Sequence, residues 1–497
     1  MICQCSVHSA TIVGVEALPV EVEVVLSQGL PGFTIVGMTD AAIQEARERV
    51  RTALRSSGFS MPGDKIVVNL APGSLKKRGS GFDLPIALGI LIASGQVSAQ
   101  VASRTLFVGE LSLDGCVKPV PGLLAYAQSA CRDGYSLCCA HDSNLGVLDN
   151  NLTIRILDNL SALKTGYFQS YEGAALLFDG VLPDFSEVAG HDHAKRALQI
   201  AAMGNHGVLL VGPPGSGKTM LAERLPSILP SLSQEEMLEV ATIYSVAGLD
   251  AHDVLMGRRP FRAPHHSASC AGLVGGGNPV RPGEITLAHR GVLYLDELPE
   301  FKPAVLQSLR QPMESGEVTL VRATSSVTMP ARFALAASAN PCPCGYLGDK
   351  ETPCTCTSYQ IASYQARIGG PILDRIDMRI NVGRLRSADV LRSGQGTSSQ
   401  VLREGVEAGR AFRAWRKQRY ESSDTRAKDL IASCLLNEEA ARYFEALADK
   451  RKFSGRAIVR TLGVARTIAD LEESERVTKS HICEAAGLRM SDESRGG

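Results

Sequence analysis

Gly212-Pro213-Pro214-Gly215-Ser216-Gly217-Lys218-Thr219 is a glycine-rich run that ends in a lysine and a hydroxyl. It follows the apolar stretch Val208-Leu209-Leu210-Val211 and precedes a helical segment from Met220. Strand, loop and helix in that order let successive backbone N–H groups turn inward on phosphates, at a helix N-terminus that already favours anions. Lys218 then brings positive charge to the β- and γ-phosphates of ATP, and the Thr219 hydroxyl is placed to ligate Mg²⁺.

A second apolar strand, Gly291-Val292-Leu293-Tyr294-Leu295, ends in Asp296 and Glu297. Asp296 is expected to hold Mg²⁺ and Glu297 to polarise the attacking water. A third, Arg332 to Ser338, leads to Asn340, which is read as orienting the same water or sensing the γ-phosphate. An Asn before Pro341 also opens ordinary turns. Phosphoryl transfer needs further positive charge in its transition state. Arg375, in Leu373-Asp374-Arg375-Ile376-Asp377, is the candidate for an arginine supplied by a neighbouring subunit. Arg456, in Ser454-Gly455-Arg456-Ala457, is the candidate for a lid arginine reaching the phosphates of its own chain. Each also fits a structural salt bridge.

Cys342, Cys344, Cys354 and Cys356 gather four of the thirteen cysteines into the pattern C-x-C-x₉-C-x-C. Four thiolates on such a loop can close a tetrahedral Zn²⁺ site, although C-x-C is tighter than the usual C-x₂₋₄-C. Reduced thiols on a surface loop are the alternative. A metal here would brace the chain just after Asn340.

The elements that must carry these residues follow from periodicity. At 497 residues the chain is long enough for two to four domains. Upstream, Glu21–Leu26 alternates as a strand, Asp40–Ser56 reads as a helix capped by Asp40, and Lys65–Leu70 reads as a strand. Leu84–Ala93 reads as a buried helix, and Phe107–Pro119 as a hairpin turning at Asp114-Gly115. The pattern loosens over Gly173–Asp184, and strands and helices then alternate to about Val382, as a parallel sheet requires. Helical, charged segments follow at Ser387–Glu421 and Leu436–Asp470, with Gly394–Ser399 as a candidate flexible loop. The expected architecture is multidomain: an N-terminal α+β domain over 1–172, a central α/β P-loop core with a parallel sheet over 185–385, and a C-terminal α-helical lid over 386–497.

Hydrophobic residues make up 44% and charged residues 21%, as in ordinary globular chains, and the net charge is zero. Any nucleic-acid surface must therefore be local. Arg403, Arg410, Arg413, Arg416, Lys417 and Arg419 interleave with Phe412 and Trp415, a composition that suits a strand contact. It equally suits an amphipathic helix whose aromatics pack inward. Lys76-Lys77-Arg78, and Arg262 with His265 and His266, are further basic candidates. No Lys or Arg precedes Arg47, so a secretory n-region is missing, and Leu84–Ser94 is too short to span a bilayer. A cytoplasmic protein with reduced cysteines and no membrane partner is expected.

With these residues in hand, the chain resembles the Mg-chelatase-like AAA+ ATPases of the ComM/YifB type. The resemblance rests on Pro31-Gly32-Phe33-Thr34-Ile35-Val36-Gly37, Asn69-Leu70-Ala71-Pro72 and Gly109-Glu110-Leu111-Ser112-Leu113-Asp114-Gly115 upstream. Further along it rests on Pro264-His265-His266-Ser267, Pro282-Gly283-Glu284-Ile285, Asn340-Pro341-Cys342-Pro343-Cys344-Gly345 and Ala465-Arg466-Thr467-Ile468-Ala469-Asp470-Leu471. It implies a homohexameric ring with ATP between protomers, which gives Arg375 its role in trans. It also implies a Lon-protease-like N-terminal domain and an insert between the nucleotide motifs that faces the pore, here holding Arg262, His265, His266 and Leu273–Asn278. The activity it implies is a helicase on single-stranded or branched DNA, driving branch migration during DNA uptake and recombination, with recombination proteins as possible partners.

Two rivals share parts of this pattern. Lon-like peptidase chemistry needs a serine nucleophile and a lysine base. Gly81 stands where the serine is expected and Leu124 near the lysine position, while Ser80 and Lys118 are out of register. A magnesium-chelatase subunit or chaperone-like remodeller of protein complexes shares the ATPase core, but the D-x-S-x-S pattern of the chelatase partner is missing from this chain.

Overall fold

The computed structural model describes residues 3–148, 152–166, 168–171, 183–278, 280–322, 325–349, 351–385, 396–420 and 427–489. The expected boundaries at 172 and 386, most of the loosened stretch 173–184, and residues 394–395 of the candidate loop lie outside these.

The upstream unit is built on a mixed eight-stranded sheet. Its centre is a long antiparallel hairpin, Cys3–Val13 with Glu16–Ser27, turning at Gly14 in the left-handed region at φ +66°. On one side come Lys65–Ala71 and then the edge strand Gly32–Val36; on the other come Thr105–Phe107, Ser136–Cys139, Ile154–Ile156 and Gln169–Ser170. Alternation sorts the side chains by face. Val7, Val22, Val24 and Cys138 pack with the helices Ala41–Ser56 and Asp83–Ala93. Ala10, Leu106, Leu137 and Cys139 pack with the helix Leu123–Asp133 on the opposite face. The Asp40 cap accepts from Ile43 N, and the expected hairpin forms as Glu110–Leu111 against Val117–Lys118.

That third helix joins the two units. Leu123, Leu124 and Tyr126 share an apolar core with Val240, Ile243 and Tyr244 of the helix Gln234–Ala247. Gly122 N donates to Ser245 O at 2.8 Å, and Gln128 Nε2 to Thr242 Oγ1 at 2.7 Å.

The central sheet is parallel throughout and runs Phe261–Arg262, Val292–Leu295, Ala334–Ala339, Val208–Val211, Met378–Asn381. Every residue of Val208–Val211, Val292–Leu295 and Ala334–Ala339 is buried, as expected for strands covered on both faces. The third strand begins at Ala334 and not at Arg332 as the apolar pattern suggested, because Arg332 N is held by His289 Nδ1 instead of a ladder partner.

The C-terminal region is helical: Ser399–Arg419, Ala427–Ser433, Glu438–Lys450, Gly455–Leu471 and Lys479–Arg489. The expected helical segment Leu436–Asp470 holds two helices, Glu438–Lys450 and Gly455–Leu471. Lys452 breaks it at φ +52°, and Ser454 caps the second by accepting from Ala457 N. Leu402, Val406, Ile468 and Ile482 share one core with Val208, Leu210 and Ile380, so these helices pack directly on the sheet.

Candidate nucleotide site

The loop Gly212–Gly217 leaves the sheet between two neighbouring strands and enters the helix Lys218–Glu223. Gly215 and Gly217 lie at φ +74° and +86°, where a β-carbon is strained. A β-carbon on Gly212 would stand 2.0 Å from Val382 O. The loop thus needs glycine at these positions for its own shape, whatever it binds.

The chain brings together the residues that the motifs singled out. Lys218 Nζ donates to Gly212 O at 2.8 Å, Pro213 O at 2.9 Å and Asn340 Oδ1 at 3.2 Å. Burial lowers the pKa of this ammonium, and the charges of Asp296 and Glu297 oppose that shift. Thr219 Oγ1 lies 3.3 Å from Asp296 Oδ2. Two hard oxygen ligands side by side suit Mg²⁺. Ser216 Oγ is buried within the loop and has no partner among the described residues, a polar atom that a phosphate oxygen would satisfy.

Two hydroxyls escaped the motif reading. Tyr294 OH donates to Asp296 Oδ1 at 3.0 Å and lies 3.4 Å from Thr219 Oγ1; burial pushes its pKa up to about 12. Ser338 Oγ donates to Asp296 Oδ1 in a short hydrogen bond and accepts from Glu297 N at 3.1 Å. Ser338 therefore ties both acids to the neighbouring strand, and Glu297 takes φ +51° to meet it. A serine in an apolar strand was the one available signal.

Arg375 and Arg456 are not part of this cluster. Asp377 N bonds Gly207 O at 2.9 Å, so Arg375 stands at the start of strand Val208–Val211, roughly 13 Å of strand away from the phosphate loop. Its Nη2 meets Glu314 Oε1 at 2.5 Å. Arg456, expected to reach the phosphates of its own chain, lies instead 3.7 Å from the same Glu314 oxygen. The helix it opens docks at that end of the sheet through Arg460, which bonds Arg375 O at 2.7 Å.

The four cysteines converge. Their sulfurs all lie within 4.8 Å of one another, with Cys342–Cys344 at 3.3 Å, Cys342–Cys354 at 3.7 Å and Cys344–Cys354 at 3.6 Å. Zn–S bonds near 2.3 Å place tetrahedral sulfurs about 3.8 Å apart, so the set fits zinc. Backbone N–H groups of Tyr346 and Thr355 lower the Cys344 thiol, whereas Cys354 and Cys356 are raised, so the four sulfurs share their protons as a set and a metal would be needed to hold all four as thiolates. The loop abuts the phosphate loop: a β-carbon on Gly345 would stand 2.6 Å from Pro214 Cδ.

The basic candidates are partly corrected. Arg416 is fully buried against Asp470, and Arg403 donates to Ser227 O at 2.8 Å. Lys77 is buried with Nζ on Pro72 O, and Arg262 holds Glu284 through two bonds of 2.6 and 2.8 Å. Only part of the helix stays outward: Trp415 is exposed, with the Arg419 guanidinium 5.1 Å from its ring. In the upstream unit, Gly81 is enclosed by Val108, Val120 and Tyr126, Leu124 is buried, and Ser80 Oγ donates to Glu110. No serine–lysine pair forms among these residues.

The parallel sheet and the loop it presents are those of the P-loop α/β class. Family profiles agree along the chain: magnesium chelatase subunit ChlI over residues 184–390, subunit ChlI of Mg-chelatase over 22–142, and the ChlI C-terminal region over 396–489. The chain is 40% identical over 498 residues to the Escherichia coli (strain K12) protein named uncharacterized protein YifB, covering 98% of this chain and 97% of that one. It is 40% identical over 497 residues to competence protein ComM of Haemophilus influenzae, covering 97% of each. Identity to the magnesium-chelatase 38 kDa subunit of Cereibacter sphaeroides is 29% over 174 residues, 32% of this chain and 52% of that one. The chain belongs to the magnesium-chelatase-like AAA+ family of the ComM/YifB type. No helix among the described residues is long and apolar enough to cross a membrane.

Proposed function

We propose that the chain is an ATP-hydrolysing motor that works as a homohexameric ring on single-stranded or branched DNA and drives branch migration during DNA uptake or recombination. The convergence of Lys218, Thr219, Asp296 and Asn340 on one loop carries the ATPase reading. The full-length likeness to a protein named for competence supports the DNA reading.

The turn through Gly215 and Gly217 presents backbone N–H groups to the phosphates at the start of the helix from Lys218, and Lys218 exchanges its carbonyl partners for phosphate oxygens. Thr219 and Asp296 would hold Mg²⁺, which when bound would supply neutralising charge to the phosphates. Glu297 takes the proton of the attacking water, and Asn340 orients that water. Arg375 stands at the far end of the sheet from the phosphate loop of its own chain, which supports a role toward a neighbour's nucleotide, and Arg456 stands beside it on Glu314. The upstream unit is read as a non-proteolytic, Lon-like domain, in accord with the apolar surroundings of Gly81.

The four cysteines hold a structural zinc that braces the loop behind Pro214. About one zinc per chain is expected by elemental analysis; metal-free protein with full ATPase activity would show that the cluster is not a zinc site.

The partial identity to the chelatase subunit favours one alternative, an ATP-driven remodeller of a protein complex. ATPase rates with and without single-stranded DNA or a four-way junction, together with junction unwinding, separate the two. Binding to DNA through phosphates is expected to be independent of sequence and to weaken steeply from low to moderate salt. Salt-independent binding, or no stimulation and no unwinding, rejects the DNA motor.

A further inference from the structure

The outward face of the helix Ser399–Arg419 has no role in the packing of the C-terminal region. Its inward side is settled. Leu402 and Val406 enter the core, a β-carbon on Gly409 would stand 3.1 Å from Leu471 Cδ2, and Arg416 is held by Asp470. That packing turns Ala408, Ala411, Trp415 and Arg419 to solvent, at the i, i+3, i+4 spacing of one helix face.

Trp415, the single tryptophan of the chain, is 41% exposed on this stripe, and Tyr420 at the helix end is 40% exposed. Side chains on a helix lean toward its N-terminus, so the indole lies over the turn holding Ala411, which is too small to cover it. The ring is nonetheless held in place. Phe412, one turn back, lies 5.2 Å from it between centroids at 40°. The Arg419 guanidinium, one turn on, stands 5.1 Å from the Trp415 ring and 5.8 Å from that of Tyr420. A ring already ordered loses little freedom when a base stacks on it.

The charge here is of one sign. No acid stands between Glu407 and Glu421, whereas Arg410, Arg413, Lys417 and Arg419 do, with Arg416 neutralised by Asp470. Glu475, across from the helix end, is taken by the Tyr420 hydroxyl at 2.5 Å. In a chain of zero net charge this is a local concentration of positive charge.

We propose that this face of the C-terminal helices binds single-stranded DNA, with a base stacked on Trp415 and the adjoining phosphate on Arg419. Arg410, Arg413 and Lys417 add to the positive field around it. The inference rests on the DNA reading proposed above and gives that reading a contact of its own. Charge complementarity selects the occupant: a second copy of this basic face would repel it, whereas a strand offers a base to the ring and a phosphate to the guanidinium.

Because Trp415 is the sole tryptophan, its emission reports on this face alone. Titration of the full chain with oligo(dT) at low salt is expected to quench that emission to saturation, and moderate salt to reverse the quenching. Anisotropy of a labelled oligo(dT) is expected to show affinity lowered about 5- to 100-fold by Trp415→Ala, the range for loss of one stacked base. Trp415→Phe, which keeps an aromatic face, loses much less. Arg419→Ala is expected to lower the slope of log affinity against log salt by about one. A strand that binds without quenching, and equally well to Trp415→Ala, overturns the assignment. Quenching by poly(Glu) equal to that by oligo(dT) overturns it in favour of an acidic protein. Emission that shifts with protein concentration alone, and not with the strand, overturns it in favour of a second copy of the chain. A parent chain that binds no strand by anisotropy overturns instead the DNA reading on which the inference rests.

Discussion

Glu297→Gln is expected to lower kcat for ATP hydrolysis by about 10²- to 10⁴-fold, the contribution of a positioned general base, with nucleotide binding near that of the parent. The expectation follows from how the side chain is mounted. Its backbone is fixed by Ser338 Oγ and Asp296 Oδ1, so glutamine fits without moving the strand, and the exposed carboxylate makes no buried contact that the fold depends on. Only the ability to take a proton is lost. Lys218→Ala gives a different signature: the loop loses the cation that bridges Gly212, Pro213 and Asn340, and nucleotide affinity falls together with turnover. Steady-state kinetics with a fluorescent nucleotide titration separates the two. Equal loss of binding in both variants would show that Glu297 shapes the pocket and does not act on water.

Asp470→Ala is expected to cost about 3–5 kcal/mol, because it removes the buried carboxylate that two buried guanidinium groups share. Arg416 meets Asp470 through Nε at 2.8 Å and Nη2 at 3.1 Å, and Arg466 reaches the same carboxylate at 2.9 Å. All three are 2% exposed or less. The site clamps the helix Ser399–Arg419 to Gly455–Leu471, so its loss opens the lid that shares a core with the nucleotide strands. Thermal unfolding followed by circular dichroism checks this; a melting temperature within a degree or two of the parent would refute it. Arg419→Ala, at an exposed position of the same helix, is expected to leave stability nearly unchanged. The contrast matters for DNA work, since lost binding in an Arg416 variant would report a damaged lid and not a removed contact.

The nucleotide loop, both acids, Asn340 and the cysteine cluster were legible because each is a short string whose chemistry needs its neighbours in sequence. The Asp40-capped helix and the Asp114-Gly115 hairpin were legible for the same local reason. Ser338 and Tyr294 were not, since a hydroxyl inside an apolar strand gains its role only from the strand beside it. Arg416 was legible as basic but not as buried, because composition does not say which side of a helix meets Asp470, many residues away. Arg456 was legible as opening a C-terminal helix, but its distance from the phosphate loop was not, since the docking of that helix is set by Arg460 with Asp377 and Arg375 O, contacts between distant segments. The pairing of helix Leu123–Asp133 with Gln234–Ala247 left no trace in either segment, because both would read as ordinary amphipathic helices whatever they packed on.

That last pairing has a mechanical consequence. Because apolar side chains and backbone hydrogen bonds join the upstream unit to the core, the unit is not a passenger on a tether. Any rotation of the core would carry the upstream sheet with it as a lever, with the largest displacement at its edges, Gln169–Ser170 and Gly32–Val36. Any partner gripped there would feel each catalytic cycle as a displacement.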